Sequence, residues 1–282
     1  MIVHLNGRYL PKEEAHISPD DRGFLFGDGI YEAVRAHEGV FFRPNAHWQR
    51  MRNSLAAIEI NGPTGAEAQT IAETLLEKNN LRGGEATVYL QITRGVAPRK
   101  HGFPQPPVAA TVYGYAAALT PPREKWLSGV RVITAPDNRW ARCNIKAISL
   151  LPSVLANHQA QAAGAHEALL IRDGVVTEGS HTNFAAVRNG TLITHPANKF
   201  ILNGITRVAV LELCKELGFP VREIPILETE LPALDEAMLL GTTSDVMPVV
   251  RINEWTIGDG RPGPVTKRLQ QAFSKLVARE RR

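Results

Sequence analysis

Segments typical of strands and segments typical of helices alternate irregularly along this chain, and this alternation restricts the fold more than any other feature. Residues 85–95, EATVYLQITRG, are typical of a strand. Residues 45–60 place apolar side chains at helical spacing, with Asn45 as the predicted N-cap. The sequence lacks the regular strand–helix–strand repeat of a doubly wound sheet. The pattern therefore predicts an α+β fold.

A chain of 282 residues is long enough for two domains. Residues 119–126 are the best candidate for a linker, because they contain paired prolines, which disfavour both helix and sheet. We therefore predict an N-terminal α/β domain at 1–118 and a C-terminal domain at 127–282. A second proline-rich stretch, GVAPRKHGFPQPP at 95–107, is predicted to form a stiff loop and is called the proline-rich loop below.

The composition excludes several classes of protein. The net charge is only +4, and the basic residues are spread along the chain, so no nucleic-acid partner is expected. No apolar run approaches the roughly 18 residues of a membrane span. The nine histidines show no HxxxH spacing, and the two cysteines, Cys143 and Cys214, form no CxxC pair, so no metal site is predicted. Two cysteines make no disulfide framework either, which favours a reducing cytoplasm.

Lys146 stands alone in an otherwise mostly apolar stretch, RCNIKAISLL, and no further lysine or arginine follows until Arg172. Lysine is rarely buried without a partner or a chemical task. One interpretation is a surface residue whose aliphatic stem packs while its ammonium reaches water. The other is an amine nucleophile held in a dry pocket.

Four further features bear on that choice. Glu178 lies between a predicted strand and a glycine turn, where a carboxylate can point inward. A predicted helix begins after Asn203-Gly204, so the backbone N–H groups of Ile205 and Thr206 suit an anion such as phosphate. Thr242 and Thr243 follow another predicted strand and can supply hydroxyl donors. Arg50 lies close to the apolar face of the predicted helix at 45–60, where an arginine needs a partner such as phosphate.

Each feature also has an ordinary structural explanation, as a solvated side chain or a helix cap. Together they match the requirements of pyridoxal 5′-phosphate. A lysine amine forms the Schiff base, a carboxylate keeps the pyridine nitrogen protonated, and the helix start, the hydroxyls and the arginine hold the phosphate. We therefore interpret Lys146 as the catalytic amine.

Motifs along nearly the whole chain resemble fold-type IV pyridoxal-phosphate aminotransferases, most of all the bacterial D-amino acid aminotransferases. The resemblance rests on DRGFLFGDGIYE, TRGVAPRKHGFP, RCNIKAISLLPSVLA, VTEGSHTNF, THPANKFILNGITR and TTSDVMPV. It implies a two-domain α+β enzyme whose active site lies between the domains at a dimer interface, with the cofactor bound by the C-terminal domain. It also implies transamination between a D-amino acid, of the D-alanine or D-glutamate type, and 2-oxoglutarate or pyruvate.

The resemblance also implies a role for each site residue. Lys146 would be the Schiff-base lysine and proton shuttle, and Glu178 would face the pyridine nitrogen. The substrate would be bound by a phenol, a guanidinium, an imidazole and a hydroxyl, and in this family the loop with the Arg-x-His motif reaches across from the other subunit of a homodimer. The phosphate ligands would be Arg50, Ile205, Thr206 and Thr242. The substrate-binding residues would be Tyr31, Arg99, His101 and Thr243.

The chain departs from the family pattern at three positions. His181 stands where a small serine is common, Gly241 stands where a serine can occur, and Lys100 adds charge between Arg99 and His101. Three relatives of the same fold remain alternatives: a branched-chain L-amino acid aminotransferase, an aminodeoxychorismate lyase and, if His181 has changed the pocket, an (R)-amine transaminase. A non-catalytic binding module is a fourth alternative, which the intact Lys146 and Glu178 disfavour.

Overall fold

A computed structural model describes residues 1–281, and the chain divides into two compact units. Unit 1 comprises residues 1–120, 145–149 and 281, and unit 2 comprises residues 121–144 and 150–280. The short stretch 145–149 therefore belongs to unit 1 by its contacts, although it lies far along the sequence. No helix within the described residues is long and apolar enough to cross a membrane.

Unit 1 contains a six-stranded, fully antiparallel sheet in the order β2-β1-β6-β5-β3-β4. Its core lies between this sheet and two helices, which supply Met51 and Leu75 against Leu90 of the sheet, all three fully buried. The strands are β1 (Ile2–Leu5), β2 (Arg8–Pro11), β3 (Gly29–His37), β4 (Val40–Phe41), β5 (Glu85–Thr93) and β6 (Thr111–Ala118). The helices are α1 (Arg22–Phe26), α2 (Pro44–Ala57) and α3 (Gly65–Lys78).

The strand predicted at 85–95 and the helix predicted at 45–60 are confirmed as β5 and α2, but the predicted N-cap of that helix is wrong. The turn between β3 and β4 lies at Glu38 and Gly39, both with positive φ. The N-cap of α2 is Arg43 rather than Asn45, because Pro44 takes the first helical position, which its fixed φ suits. The segment directly before β3 forms the short helix α1, in which the side chain of Asp21 accepts a hydrogen bond from the N–H of Gly23 as N-cap.

Unit 2 contains a ten-stranded mixed sheet in the order β12-β11-β10-β14-β15-β7-β8-β9-β13, with β16 paired to β15. The strands are β7 (Val130–Pro136), β8 (Glu167–Arg172), β9 (Val175–Gly179), β10 (Asn183–Arg188), β11 (Thr191–Thr194), β12 (Val221–Glu223), β13 (Ile226–Leu227), β14 (Glu236–Gly241), β15 (Asp245–Ile252) and β16 (Trp255–Thr256). The helices are α4 (Arg123–Ser128), α5 (Leu151–Ala162), α6 (Ile205–Leu217) and α7 (Pro264–Glu280).

Two elements of unit 2 were not expected. Helix α4 begins directly after the paired prolines, with Pro122 as its N-cap. Strand β15 contains Pro248, which argues against a central strand because proline donates no ladder hydrogen bond. The register explains how Pro248 is tolerated: it pairs with Met238 of β14, whereas the pairing of β15 with β7 begins only at Val249.

Candidate active site

Lys146 is positioned in unit 1 by the residues on either side of it. Ile145 and Ala147 are buried in the core of unit 1, so Lys146 between them is directed away from that core. Its carbonyl accepts a hydrogen bond from the backbone N–H of Tyr31 at 2.9 Å, and its own N–H donates to Ser54 Oγ at 3.2 Å. The backbone around the lysine is therefore fixed against β3 and α2.

The amine of Lys146 is half-buried, and its Nζ lies 4.3 Å from the centroid of the Tyr31 ring. Within the described residues of unit 1, the amine has no carboxylate partner at ion-pair distance. A lysine held against an aromatic face and without a counter-ion keeps its amine available for chemistry. The nucleophile interpretation of Lys146 stays a prediction, with which this contact is consistent.

Arg50 lies opposite a carboxylate that the sequence analysis had not singled out. Its Nε and Nη2 donate to the two oxygens of Glu32, at 2.9 Å and 2.6 Å, and His47 Nδ1 lies 3.0 Å from the same carboxylate. Burial alone would raise the pKa of Glu32, but the charge of Arg50 and the hydrogen bond to His47 hold it well below its ordinary value. Glu32 is therefore an anion that orients the Arg50 guanidinium through a two-point contact.

Glu178 precedes Gly179, the last residue of strand β9, and is buried in unit 2. Its Oε2 accepts from Asn183 Nδ2 at 2.8 Å and from the N–H of Leu202 at 3.1 Å. Burial raises the pKa of Glu178 to about 7, and the positive charge of Arg139 opposes that shift. The carboxyl is thus poised between its two protonation states near neutral pH.

Arg139 is the partner of Glu178 that sequence reasoning missed. Its Nη1 donates to Glu178 Oε1, while its Nε and Nη2 donate to the two oxygens of Asp137 at 2.8 Å and 2.9 Å. Burial alone would raise the pKa of Asp137, but the hydrogen bonds and charge of Arg139 lower it to about 2. The only sequence signal was the pair of opposite charges in Asp137-Asn-Arg139, directly after a strand.

Helix α6 begins at Ile205 and Thr206, both buried, and its N-cap Gly204 provides no side-chain hydrogen bond to the first turn. The first turn of this helix therefore receives no hydrogen bond from an N-cap side chain, and anion binding by its backbone N–H groups stays a prediction. A side chain at Gly204 would overlap Asn183 Oδ1, so glycine allows the close approach of this loop to β10. The side-chain amide of Asn183, which donates to Glu178, thus also lies against the start of α6.

Thr242 and Thr243 follow β14 in a turn, with Thr242 half-buried and Thr243 exposed. A Cβ at Gly241 would lie 2.7 Å from the Oγ of Ser244, so a serine at this position would displace Ser244. The carbonyl of Ser244 accepts from Trp126 Nε1 at 2.7 Å, which anchors the turn to α4.

The turn after Glu178 is organised by Glu167, a fully buried carboxylate of β8. Glu167 Oε1 accepts from the backbone N–H groups of His181 and Thr182 at 2.8 Å and 3.1 Å. The side chain of His181 stays half exposed, with 51% of its surface accessible. His181 is therefore fixed through its backbone, and Nδ1 of its half-exposed imidazole also lies 3.3 Å from Glu167 Oε1.

Arg99 and His101 both lie in the proline-rich loop of unit 1, between β5 and β6, and both side chains are exposed. They converge on the ring of Phe26, which lies 5.2 Å from Arg99 Cζ and 5.6 Å from the His101 ring centroid. A guanidinium and an imidazole brought together in this way suit a carboxylate ligand. The structure thus brings Lys146, Tyr31, Arg50, Arg99 and His101 into unit 1, whereas unit 2 holds Glu178, Ile205, Thr206, Thr242 and Thr243.

Comparison with known proteins identifies the family. The model of the class IV aminotransferases matches residues 29–252, and the chain belongs to that family. It is 41% identical over 281 residues to the D-alanine aminotransferase of Bacillus licheniformis, covering 99% of this chain and 98% of that protein. It is 39% identical over 276 residues to the D-alanine aminotransferase of Staphylococcus haemolyticus, covering 98% of this chain and 97% of that protein.

Solved structures give the same fold. The branched-chain amino acid aminotransferase of Escherichia coli superimposes with a TM-score of 0.90 at 28% identity, covering 100% of this chain and 95% of that one. A second branched-chain amino acid aminotransferase, solved with pyridoxamine 5′-phosphate, also gives a TM-score of 0.90, at 29% identity and with 99% and 95% covered. The expectation of a fold-type IV aminotransferase of the α+β class is therefore confirmed. The individual site roles inferred from the sequence stay predictions.

Proposed function

We propose that this chain transfers an amino group between a D-amino acid of the D-alanine or D-glutamate type and a 2-oxo acid, 2-oxoglutarate or pyruvate, with pyridoxal 5′-phosphate as cofactor. The observation that carries the proposal is the 41% identity to a D-alanine aminotransferase, which extends over 99% of the chain. A similarity of that extent includes the proline-rich loop and the segments around Lys146 and Glu178.

The residues present fit this cofactor in three respects. Lys146 offers an amine without a carboxylate partner within the described residues of unit 1. Glu178 offers a buried carboxyl whose pKa lies near 7, and α6 offers an N-terminus without a side-chain cap. When bound, pyridoxal 5′-phosphate supplies an aldehyde that takes the amino group and a pyridine ring that accepts electron density from the substrate Cα.

Lys146 is the catalytic residue of this proposal. Its Nζ would hold the cofactor between turnovers, and as a free amine it would move the proton between the substrate Cα and the cofactor carbon that receives the amino group. The face of Tyr31 beside Nζ limits the positions that the amine can take. This contact supports a proton transfer on one face of the substrate.

Glu178 is assigned to the pyridine nitrogen, where its carboxylate would hold a proton. Asn183 and the Leu202 N–H donate to the oxygens of Glu178, and Arg139 balances its charge, so the carboxylate form is available at neutral pH despite burial. The phosphate is assigned to Arg50, to the first-turn N–H groups of Ile205 and Thr206, and to the hydroxyl of Thr242. Glu32 supports this assignment because it fixes the orientation of the Arg50 guanidinium.

The substrate α-carboxylate is assigned to Tyr31, Arg99, His101 and Thr243. We further propose that the enzyme is a homodimer in which the proline-rich loop serves the partner's site. Helix α5 supports a second copy, because large apolar side chains remain exposed on it, a pattern common at interfaces. These residues are Leu151, Val154 and Leu155, each more than half exposed. The two buried free thiols, Cys143 and Cys214, suit the cytoplasm.

A branched-chain L-amino acid aminotransferase is the second candidate, favoured by the TM-score of 0.90 to such an enzyme. The identities to D-alanine aminotransferases, 39% and 41%, exceed the 29% to that enzyme. The deciding assay measures pyruvate released from D-alanine, with 2-oxoglutarate as acceptor, against 2-oxo acid released from L-leucine. We expect turnover of D-alanine, and turnover of L-leucine alone would overturn the proposal.

A further inference from the structure

We propose that residues 21–28, named the support segment, act as a positioning device for the substrate-binding side chains of the proline-rich loop. The proposal rests on the role proposed above for Arg99 and His101. All of the contacts that carry it lie within unit 1. The support segment holds the loop at its two ends, along its backbone and at its two functional side chains.

Asp21 holds the two ends of the loop. Its carboxylate is buried and accepts from Thr93 Oγ1 at 2.9 Å and from Thr111 Oγ1 at 2.6 Å. Thr93 is the last residue of β5 and Thr111 is the first residue of β6. One side chain therefore fixes both points from which the loop departs.

Arg22 holds the backbone of the loop beside the functional side chains. Only 3% of its surface is exposed, and its Nη1 and Nη2 donate to the carbonyls of Lys100 and His101, at 2.6 Å and 3.3 Å. Its Nε donates to Asp28 Oδ2 at 2.8 Å, which fixes the guanidinium itself. A planar guanidinium can serve these three acceptors at once, and a lysine ammonium at the same position cannot reproduce that geometry.

Phe26 holds the two side chains. Its ring lies 4.8 Å from Arg22 Cζ, 5.2 Å from Arg99 Cζ and 5.6 Å from the His101 ring centroid. Cations such as the two guanidinium groups are attracted to an aromatic face, and the His101 ring packs against the same ring at a tilt of 44°. The ring therefore holds Arg99 and His101 near each other before any substrate arrives.

Ordering in advance lowers the cost of binding, since free side chains lose freedom when a ligand immobilises them. Loosening Arg99 and His101 should therefore weaken binding of a carboxylate substrate about threefold to a hundredfold. A reagent that lacks a carboxylate should react as before. This difference separates a positioning role from general damage to the fold.

The test compares the holoenzyme with Arg22→Lys and Phe26→Leu. Arg35→Lys is the control for substitution of a buried arginine. Arg35 on β3 pairs with Glu85 on β5 at 2.8 Å, and neither residue belongs to the support segment or the proline-rich loop. Phe24→Leu is the control on the same helix, since Phe24 is 77% exposed. KM and kcat for D-alanine are measured first. The second-order rates of aminooxyacetate and methoxyamine with the cofactor aldehyde are then followed by loss of visible absorbance.

We expect Arg22→Lys to raise KM for D-alanine about tenfold or more and Phe26→Leu to raise it about threefold, with kcat changed far less. The aminooxyacetate rate should fall by similar factors, while methoxyamine and both control variants stay at the wild-type rate. Equal losses with both reagents would overturn the inference in favour of a purely structural role. If Arg22→Lys does not fold, Phe26→Leu decides by the same criteria.

Arg99→Ala separates this inference from the function on which it rests. If Arg99→Ala raises KM for D-alanine and the support-segment variants do not, the positioning role is overturned and the proposed substrate site stands. If Arg99→Ala leaves KM unchanged, the proposed carboxylate site is wrong and the positioning role falls with it. If both kinds of variant raise KM without affecting methoxyamine, both proposals are supported.

Discussion

In unit 2, the guanidinium of Arg139 donates to the carboxylate of Glu178 and at the same time to both oxygens of Asp137. A buried carboxyl is thus held between burial, which favours its neutral form, and an arginine, which favours its anion. The balance leaves the pKa of Glu178 near 7. Because that pKa lies within the pH range in which the protein can be studied, titration of Glu178 can be followed by experiment.

Glu178→Gln should change how the stability of the cofactor-free protein depends on pH. The pKa of Glu178 is raised from 4.5 to about 7, so the native state binds its proton more tightly than the unfolded chain does. This contribution is fully present below about pH 4.5 and is lost as the pH rises through 7, a loss of about 3 kcal/mol. Urea unfolding from pH 4 to 8 should show wild type losing stability relative to Glu178→Gln. Parallel pH profiles would contradict the raised pKa.

Glu32→Gln should destabilise the protein by about 3–5 kcal/mol at pH 7, because it removes one partner of a buried ion pair and leaves the charge of Arg50 without that carboxylate. Urea unfolding measures the loss. The matched control is Glu77→Gln, since the pair of Glu77 with Arg82 is largely exposed and should contribute less than about 1 kcal/mol. Equal effects of the two substitutions would show that the Glu32–Arg50 pair is not structurally important.

The pH dependence of wild type offers a second test of the same pair. The pKa of Glu32 is lowered in the folded state, so its contribution to stability is present above the ordinary value of 4.5 and is lost as the pH falls below it. Glu32→Gln should therefore lack this part of the acid destabilisation seen in wild type.

Lys146→Ala should remove the visible absorbance of the purified enzyme and lower kcat for D-alanine by about a thousandfold or more, since proton transfer by a positioned side chain contributes roughly that much. The control is Lys275→Ala, the same substitution at an exposed lysine of α7. Retention of both colour and turnover in Lys146→Ala would exclude Lys146 as the catalytic amine.

Gly204→Ala should lower cofactor affinity about tenfold, a cost of ~1.4 kcal/mol. The new Cβ would overlap Asn183 Oδ1, and the same amide donates to Glu178, so the substitution disturbs two proposed cofactor contacts. Fluorescence titration of the cofactor-free protein measures the affinity. Gly218→Ala at the other end of α6, where φ is +74°, should reduce stability and leave the affinity unchanged. A loss of affinity in both variants would indicate a general effect of destabilising α6.

Local sequence patterns predicted most elements whose determinants are local. The C-cap of α6 at Gly218 is such a local feature, because a left-handed residue after a helix favours glycine. Helix α1 escaped prediction because its cap, Asp21, depends on threonines more than 70 residues away. Strand β15 escaped because Pro248 is tolerated only through a register that no local pattern shows.

The candidate site divides in the same way. Lys146 and Glu178 could be selected from their own sequence surroundings, because each is an unusual residue for its place. Their partners could not: Arg139 reaches Glu178 across 39 positions, and Glu32 reaches Arg50 across 18. Such pairs are set by which strands and helices become neighbours, and a single sequence does not reveal that.

The most direct test of the proposed reaction is a spectral titration of the purified yellow holoenzyme with D-alanine, L-leucine and (R)-1-phenylethylamine, one at a time and without a 2-oxo acid. We expect D-alanine alone to remove the visible band, because only it presents a carboxylate to Arg99 and His101 with the D configuration. Removal of the band by L-leucine or by the amine, with D-alanine inert, would keep Lys146 as the catalyst and contradict the substrate site proposed here.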